Sequence, residues 1–286
     1  MKYIPEFILP KIKPNVIDDI MRGNDIVGKI AGINLKPIDF NDKHEFREYL
    51  NVLIKFKEDE SYDRLFIEGC KDLDKEIIFN IEEFTNMKIS DGEYIKITNL
   101  SKVMKEICNL LKDNLEEKEI LIICDNKERM KKIIKGISRN VRFITAIGCE
   151  EDNEEIYEYI LDETGLSLFY PSNIERILGN YSIIINLIDN LEINFSKVRR
   201  NCIIFDFVDG IYLDNKKSFF PIKDFAFNLN DLGINENRWI RGEVLSSLAE
   251  SLICNNIEAV TYLYSQGKHY TIKDYVNSFI RVKGKF

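Results

Sequence analysis

The chain has 286 residues, 45% of them hydrophobic and 31% charged, with a formal net charge of −8. That length suits one to two domains with a buried core, and an acidic average excludes a broadly basic nucleic-acid-binding surface. No apolar run approaches the ~18 residues of a membrane span. The opening MKYIPEFILPKIKPN is broken by three prolines and lacks the apolar core of a signal peptide, so a cytoplasmic protein is expected.

Six cysteines are scattered at Cys70, Cys108, Cys124, Cys149, Cys202 and Cys254, with no CxxC pair. They read as reduced, buried thiols. The two histidines, His44 and His269, stand at no ligand spacing from a cysteine, and no metal site is expected.

In chain order, the first 117 residues are the less regular part. Strands are expected at 27–35, 64–70, 75–81 and 92–97, and helices at 43–56 and 100–115. From residue 118 the pattern sharpens. EILIIC (119–124) is a strand, and KERMKKIIKGIS (127–138) is a helix with Met130, Ile133, Ile134 and Ile137 on one stripe. VRFITAIG (141–148) is a strand, and NEEIYEYILDETG (153–165) is a helix closed by Gly165. LSLFY (166–170) is a strand, PSNIERILG (171–179) a short helix, YSIIINLID (181–189) a strand, 192–200 a short connection and NCIIFDF (201–207) a strand. Later strands are expected at 209–214 and 224–232, then a long helix over 238–266. A last helix spans 272–282, with Thr271 as N-cap and Asp274 completing a capping box.

Continuous apolar strands alternating with amphipathic helices predict a parallel sheet covered on both faces. The expected fold is therefore two-domain α/β. A small N-terminal α/β domain covers 1–117, and a Rossmann-like, doubly wound parallel sheet with C-terminal helices covers 118–286.

Three stretches carry a family resemblance: ISDGEYIKITNLSKVMKEICNLL (89–111), TGLSLFYPSNIERILGNYSIIINLID (164–189) and RGEVLSSLAESLI (241–253). In order and spacing, the chain resembles the amino-acid dehydrogenase-like Rossmann proteins, the broad group of shikimate dehydrogenase. Within that group it is most similar to long-chain acyl-carrier-protein reductases and predicted amino acid dehydrogenases. The resemblance implies an NAD(P)-dependent dehydrogenase or reductase, acting on a small molecule in an interdomain cleft. It also exposes two departures. The family's glycine-rich turn is replaced by Asp125-Asn126-Lys127, and its acyl-accepting cysteine by Ser247, preceded by Ser246. A serine without a base is a poor nucleophile. These departures motivate the alternative, a catalytically degenerate Rossmann-like protein serving as a binding or regulatory module.

The candidate site residues follow. A dinucleotide pyrophosphate sits on free N–H groups at a helix N-terminus, so Asp125, Asn126 and Lys127 mark the cofactor turn. Asp125 is equally placed to cap that helix itself, with Glu128 three residues on, and Lys127, Arg129 or Lys131 to offset its charge. Glu150 and Glu151 stand where an acid holds ribose hydroxyls, which favours NAD over NADP; a solvated acidic loop is the plainer reading. Asn186, Asp189 and Asn190 end a central strand, where open α/β sheets bind ligands, and ordinary turn chemistry accounts for them too. Asp206 and Asp209 are similarly placed. Ser247 and Lys96 are the catalytic candidates, with Glu250, Asn99 and Lys102 as polar neighbours. Expected partners are a small-molecule substrate or ligand, with no nucleic acid, no membrane span and a homodimer left open.

Overall fold

The computed structural model describes residues 14–33, 42–58, 62–70, 73–188, 194–208, 219–252 and 260–280. The chain divides into two compact units, one of residues 1–92 and 228–255, the other of 93–227 and 256–286.

The first unit opens with an antiparallel hairpin, β1 (Pro14–Arg22) and β2 (Asp25–Ile33), of which the sequence pattern anticipated only the second strand. Gly23, at φ +60, makes its turn. Helix α1 (Lys43–Glu58) follows, then β3 (Arg64–Leu65), α2 (Lys75–Thr85) and β4 (Lys88–Ile89), which pairs parallel with β3. The expected strand at 75–81 is thus a helix. Ile81 is fully buried on it and packs with Tyr49, Leu50 and Leu53 of α1. The run KEIIFNI has two apolar pairs spaced for either period, and helix–helix packing settles the choice.

The second unit begins with α3 (Glu93–Leu111). Residues 92–97, expected as a strand, form its first turns. Its stripe of Leu100, Met104 and Ile107 is fully buried, and it packs on the sheet's helices. Residues 93–117, placed with the N-terminal domain in the sequence reading, therefore group with the parallel sheet.

That sheet is built from β5 (Glu119–Ile123), α4 (Lys127–Ile137), β6 (Phe143–Ile147), α5 (Asn153–Thr164), β7 (Leu168–Phe169), β8 (Ile183–Asn186) and β9 (Ile203–Asp206). All pairs are parallel, in the order β7-β6-β5-β8-β9. The chain winds outward from β5 in one direction and then from β8 in the other, the arrangement of a Rossmann-like sheet. Ile120 to Ile123 have no exposed surface, as burial on both faces demands. One face, carrying Leu121, Ile123, Ile184 and Ile204, is covered by Leu178, Tyr181 and Val198 from the connections around β8. Those connections are short 3-10 turns, at Ile174–Arg176, Leu178–Asn180 and Phe195–Lys197, where a helix had been expected over 171–179. Gly165 closes α5 in the left-handed conformation, as read from the sequence.

β10 (Asp224–Asn228) follows. Returning to the first unit, the chain forms β11 (Glu243–Leu245) and α6 (Ser246–Leu252). In the second unit β12 (Tyr262–Ser265) pairs antiparallel with β10 and with β13 (Lys268–Tyr270). The continuous helix expected over 238–266 is therefore absent: strands stand at both ends of that span. Val244 and Leu263 belong to strands, and His269 lies exposed on β13. Last comes α7 (Ile272–Tyr275), continued by a wider turn over Val276–Ile280. Thr271 Oγ1 accepts from the Asp274 N–H, as anticipated. Among the described residues no helix is long and apolar enough to cross a membrane.

Candidate functional site

The carboxyl edge of the five-stranded sheet can be read directly from its register. Ile147, Ile123, Asn186 and Asp206 are paired in succession across β6, β5, β8 and β9. The winding reverses between β5 and β8, so ligands of such sheets bind beside Ile123 and Asn186. Here that edge carries two separate groups of polar residues.

The first surrounds the turn after β5. Asn126, not Asp125, caps α4: its side chain accepts from the Arg129 N–H at 3.0 Å. Asp125 is left exposed, one residue too early for the capping geometry. Lys127 reaches across to α5, 3.3 Å from Asp152 and 2.8 Å from Glu155. Lys131 binds Glu155 at 2.7 Å, and Arg129 pairs with Glu93. The cations that could have balanced a phosphate are thus held by carboxylates. Hydrogen bonds from Lys127 and then Lys131 hold the Glu155 carboxyl down at about 2.

The loop after β6 closes over the same turn. Gly148 adopts φ +102, and a Cβ there would stand 2.5 Å from the Cys124 carbonyl oxygen. Only glycine permits that approach. Glu150 folds back so that its carboxylate accepts the Gly148 N–H at 3.0 Å, and Cys149 Sγ donates to the Cys124 carbonyl at 3.0 Å. Burial pushes the Cys149 thiol up to about 11, so it remains a neutral donor. A dinucleotide-binding sheet carries its glycines after the first strand, here β5. The structure uses one after the second, for packing loop against loop.

These residues do not fit a dinucleotide pyrophosphate. Its usual seat lacks glycine and has a side-chain cap on one of its N–H donors. Asp125 contributes a free-standing carboxylate, and Glu150 accepts the neighbouring N–H. The ribose-binding role expected of Glu150 is likewise taken up within its own loop.

The second group lies at the ends of β8 and β9. Asn186 Nδ2 donates to Asp206 Oδ1 at 2.8 Å, and Lys223 Nζ pairs with Asp206 Oδ2 at 2.6 Å. Asn186 and Asp206 are 5% and 1% exposed. Asn186 Oδ1 also accepts the Ile188 N–H, so its side chain is spent on the fold. Lys223 was missed in the sequence because it lies well beyond β9, within the mainly apolar run FFPIKDFAF (219–227), where nothing local marks it as a partner of Asp206. Only the parallel bridge between Phe205 and Ile222 brings it to Asp206. Asp189, Asn190 and Asp209 lie outside the described residues.

Lys96 and Asn99 occupy consecutive turns of α3 and are buried, at 6% and 1% exposed, while Lys102 is exposed. Lys96 Nζ lies 5.5 Å from the centre of the Phe207 ring, a cation–π contact. Asn99 donates to the Ile95 carbonyl, and its own Oδ1 has no partner among the described residues.

Ser247 belongs to the first unit and Lys96 to the second. Within the first unit, Gly92 (φ +79) packs on the start of α6: a Cβ there would stand 2.6 Å from the Ser247 nitrogen. One turn on, Glu250 pairs with Arg64 at 3.3 Å. Ser247 is 9% exposed, and nothing among the described residues hydrogen-bonds its hydroxyl. His44 lies beside Glu48, and His269, in the second unit, beside Tyr262 and Tyr264.

The second unit is thus a Rossmann-like sheet whose turn after β5 has no glycine, an Asn126 side-chain cap and a lysine already paired with carboxylates. No family model matches the chain, and no curated protein sequence matches it. Among solved structures it is similar to a shikimate 5-dehydrogenase from Listeria monocytogenes, in complex with shikimate and NAD. That alignment has 15% identity and a TM-score of 0.30, and covers 46% of this chain and 47% of the other. It is also similar to L-tryptophan dehydrogenase from Nostoc punctiforme (11% identity, TM-score 0.30, covering 56% and 44%). A third likeness is to a ligand-free aspartate transcarbamoylase from Trypanosoma cruzi (10% identity, TM-score 0.32, covering 62% and 84%). The chain spans less than half the length of the two dehydrogenases.

Proposed function

We propose that the protein is a Rossmann-like binding or regulatory module that has lost the dinucleotide grip of its fold. The observation that carries this reading is the self-satisfied turn after β5. Gly148 lets the β6 loop close on the Cys124 carbonyl, Asn126 caps α4, and Lys127 is held by Asp152 and Glu155. A diphosphate placed there meets Asp125 and would have to displace Lys127 from its carboxylates.

A second reading is an NAD(P)-dependent oxidoreductase acting on an unidentified small molecule. One observation favours it: Lys96, a buried ammonium over Phe207 whose contact is an aromatic face rather than a carboxylate. Such a lysine suits an anionic substrate.

Fluorescence titration of the purified protein with NADH and NADPH separates the two. The binding-module reading expects no saturable binding at millimolar cofactor. Saturable binding, tightened by Asp125→Gly and weakened by Lys96→Met in the presence of substrate-like acids, would establish the oxidoreductase instead.

A further inference from the structure

The amino edge of the parallel sheet, at the other end of its strands from the turn after β5, holds a cavity of about 170 Å³. It opens where Lys118 leads into β5, Ser182 into β8 and Asn201 into β9. The end of α3 closes it through Leu111 and Asp113, and Ile280 closes it from the end of the chain's last described turn. A space of this size accepts a benzene-sized body.

Its polar lining is unbalanced. Lys118 is paired with Asp113 at 2.8 Å, which cancels both charges. Arg199 has no such partner: its Nη2 donates to the Ser182 hydroxyl at 2.9 Å, and no carboxylate of the described residues pairs with it. Its Nε is buried with no hydrogen-bond acceptor among the described residues. A guanidinium presents Nε and Nη2 side by side, the fork that takes both oxygens of a carboxylate. Burial keeps the Cys108 thiol, which also lines the space, up at about 11, so it adds no negative charge near neutral pH. Asn201 adds an uncharged amide, and the remaining walls are apolar, from Leu111, Ile183, Ile203 and Ile280.

One uncompensated cation against an apolar wall selects an anion that carries a hydrocarbon body. We propose that this cavity binds a small organic carboxylate, its oxygens on the Arg199 guanidinium and its body against Leu111, Ile183 and Ile203. A slight turn of the guanidinium brings the orphaned Nε–H onto the ligand, which meets a hydrogen-bonding demand that the described residues leave open. Inorganic phosphate fits less well, because it leaves the apolar wall bare. The site stands independently of the dinucleotide question, since it lies a full strand length from the carboxyl edge.

The test uses the full chain and benzoate as probe, followed by calorimetry or saturation-transfer NMR. Benzyl alcohol serves as the neutral isostere and inorganic phosphate as the bodiless anion. Benzoate is expected to bind saturably. Benzyl alcohol, phosphate and the Arg199→Gln variant are each expected to weaken binding about tenfold or more. Arg199→Lys, which keeps the charge and loses the fork, should fall between. If Arg199→Gln fails to fold, Leu111→Trp, on the partly exposed end of α3, fills the cavity and should also abolish benzoate binding. Absence of benzoate binding at tens of millimolar would overturn the proposal. So would equal binding of benzyl alcohol, or binding that survives both Arg199→Gln and Leu111→Trp. The NADH titration is read separately, and neither of its results changes the expectation here.

Discussion

Gly148 concentrates the argument about this protein into one position. Its φ of +102 and the 2.5 Å from a would-be Cβ to the Cys124 carbonyl mean that strain and collision coincide there. Gly165 is also left-handed, at φ +72, but faces open space. Gly148→Ala is therefore expected to cost about 3 kcal/mol in urea unfolding, and Gly165→Ala about 1 kcal/mol. Equal costs would show that the β6 loop does not depend on its close approach to β5. The sequence displayed the missing glycines after β5 plainly. It could not show that a glycine one strand later does a different job, because that job is a contact between loops 24 residues apart.

At the scale of elements, α4 and α5 are tied by Lys127, Lys131 and Glu155 across their exposed faces. The Glu155 carboxyl titrates at about 2 in the folded protein, below its ordinary value near ~4.3. A depressed folded value means that the pair stabilises the fold above the ordinary carboxylate range. The contribution is lost as pH falls towards about 2. Glu155→Gln should accordingly flatten the acid limb of the stability curve between about pH 4 and 2 and leave the neutral-pH shape unchanged; an unaltered acid limb would show that the cluster carries no pH dependence. The amphipathic stripe of α4 was legible because Met130, Ile133, Ile134 and Ile137 repeat at helical spacing, and all four are buried. Runs 75–81 and 92–97 were misread as strands. Their Ile and Phe residues suit either period, and packing decided between them. The helix expected over 238–266 is present only in part, as α6, which carries Leu248 and Leu252; Val244, Leu245 and Leu263, at the same helical spacing, serve β11 and β12 instead.

At the scale of the molecule, α3 groups with the parallel sheet and not with the elements that precede it. A fragment of residues 118–286 would leave bare the surface that Leu100, Met104 and Ile107 cover. That fragment is expected to bind a hydrophobic dye and unfold without a cooperative transition, whereas 93–286 keeps one by circular dichroism. Cooperative unfolding of both would show that α3 is dispensable to the sheet. The sequence by itself determined the central strands and their flanking helices, because burial on both faces imposes continuous apolar runs that no other arrangement explains. It also determined that the usual phosphate turn was altered. Tertiary structure alone decided that Asn126 rather than Asp125 caps α4. It likewise decided that Lys223 reaches Asp206, that Lys96 lies on Phe207, and that Arg199 stands beside a cavity with no carboxylate of the described residues paired to it. Each of these depends on which side chains the sheet brings together from distant parts of the chain, and composition and periodicity encode local preference rather than that proximity.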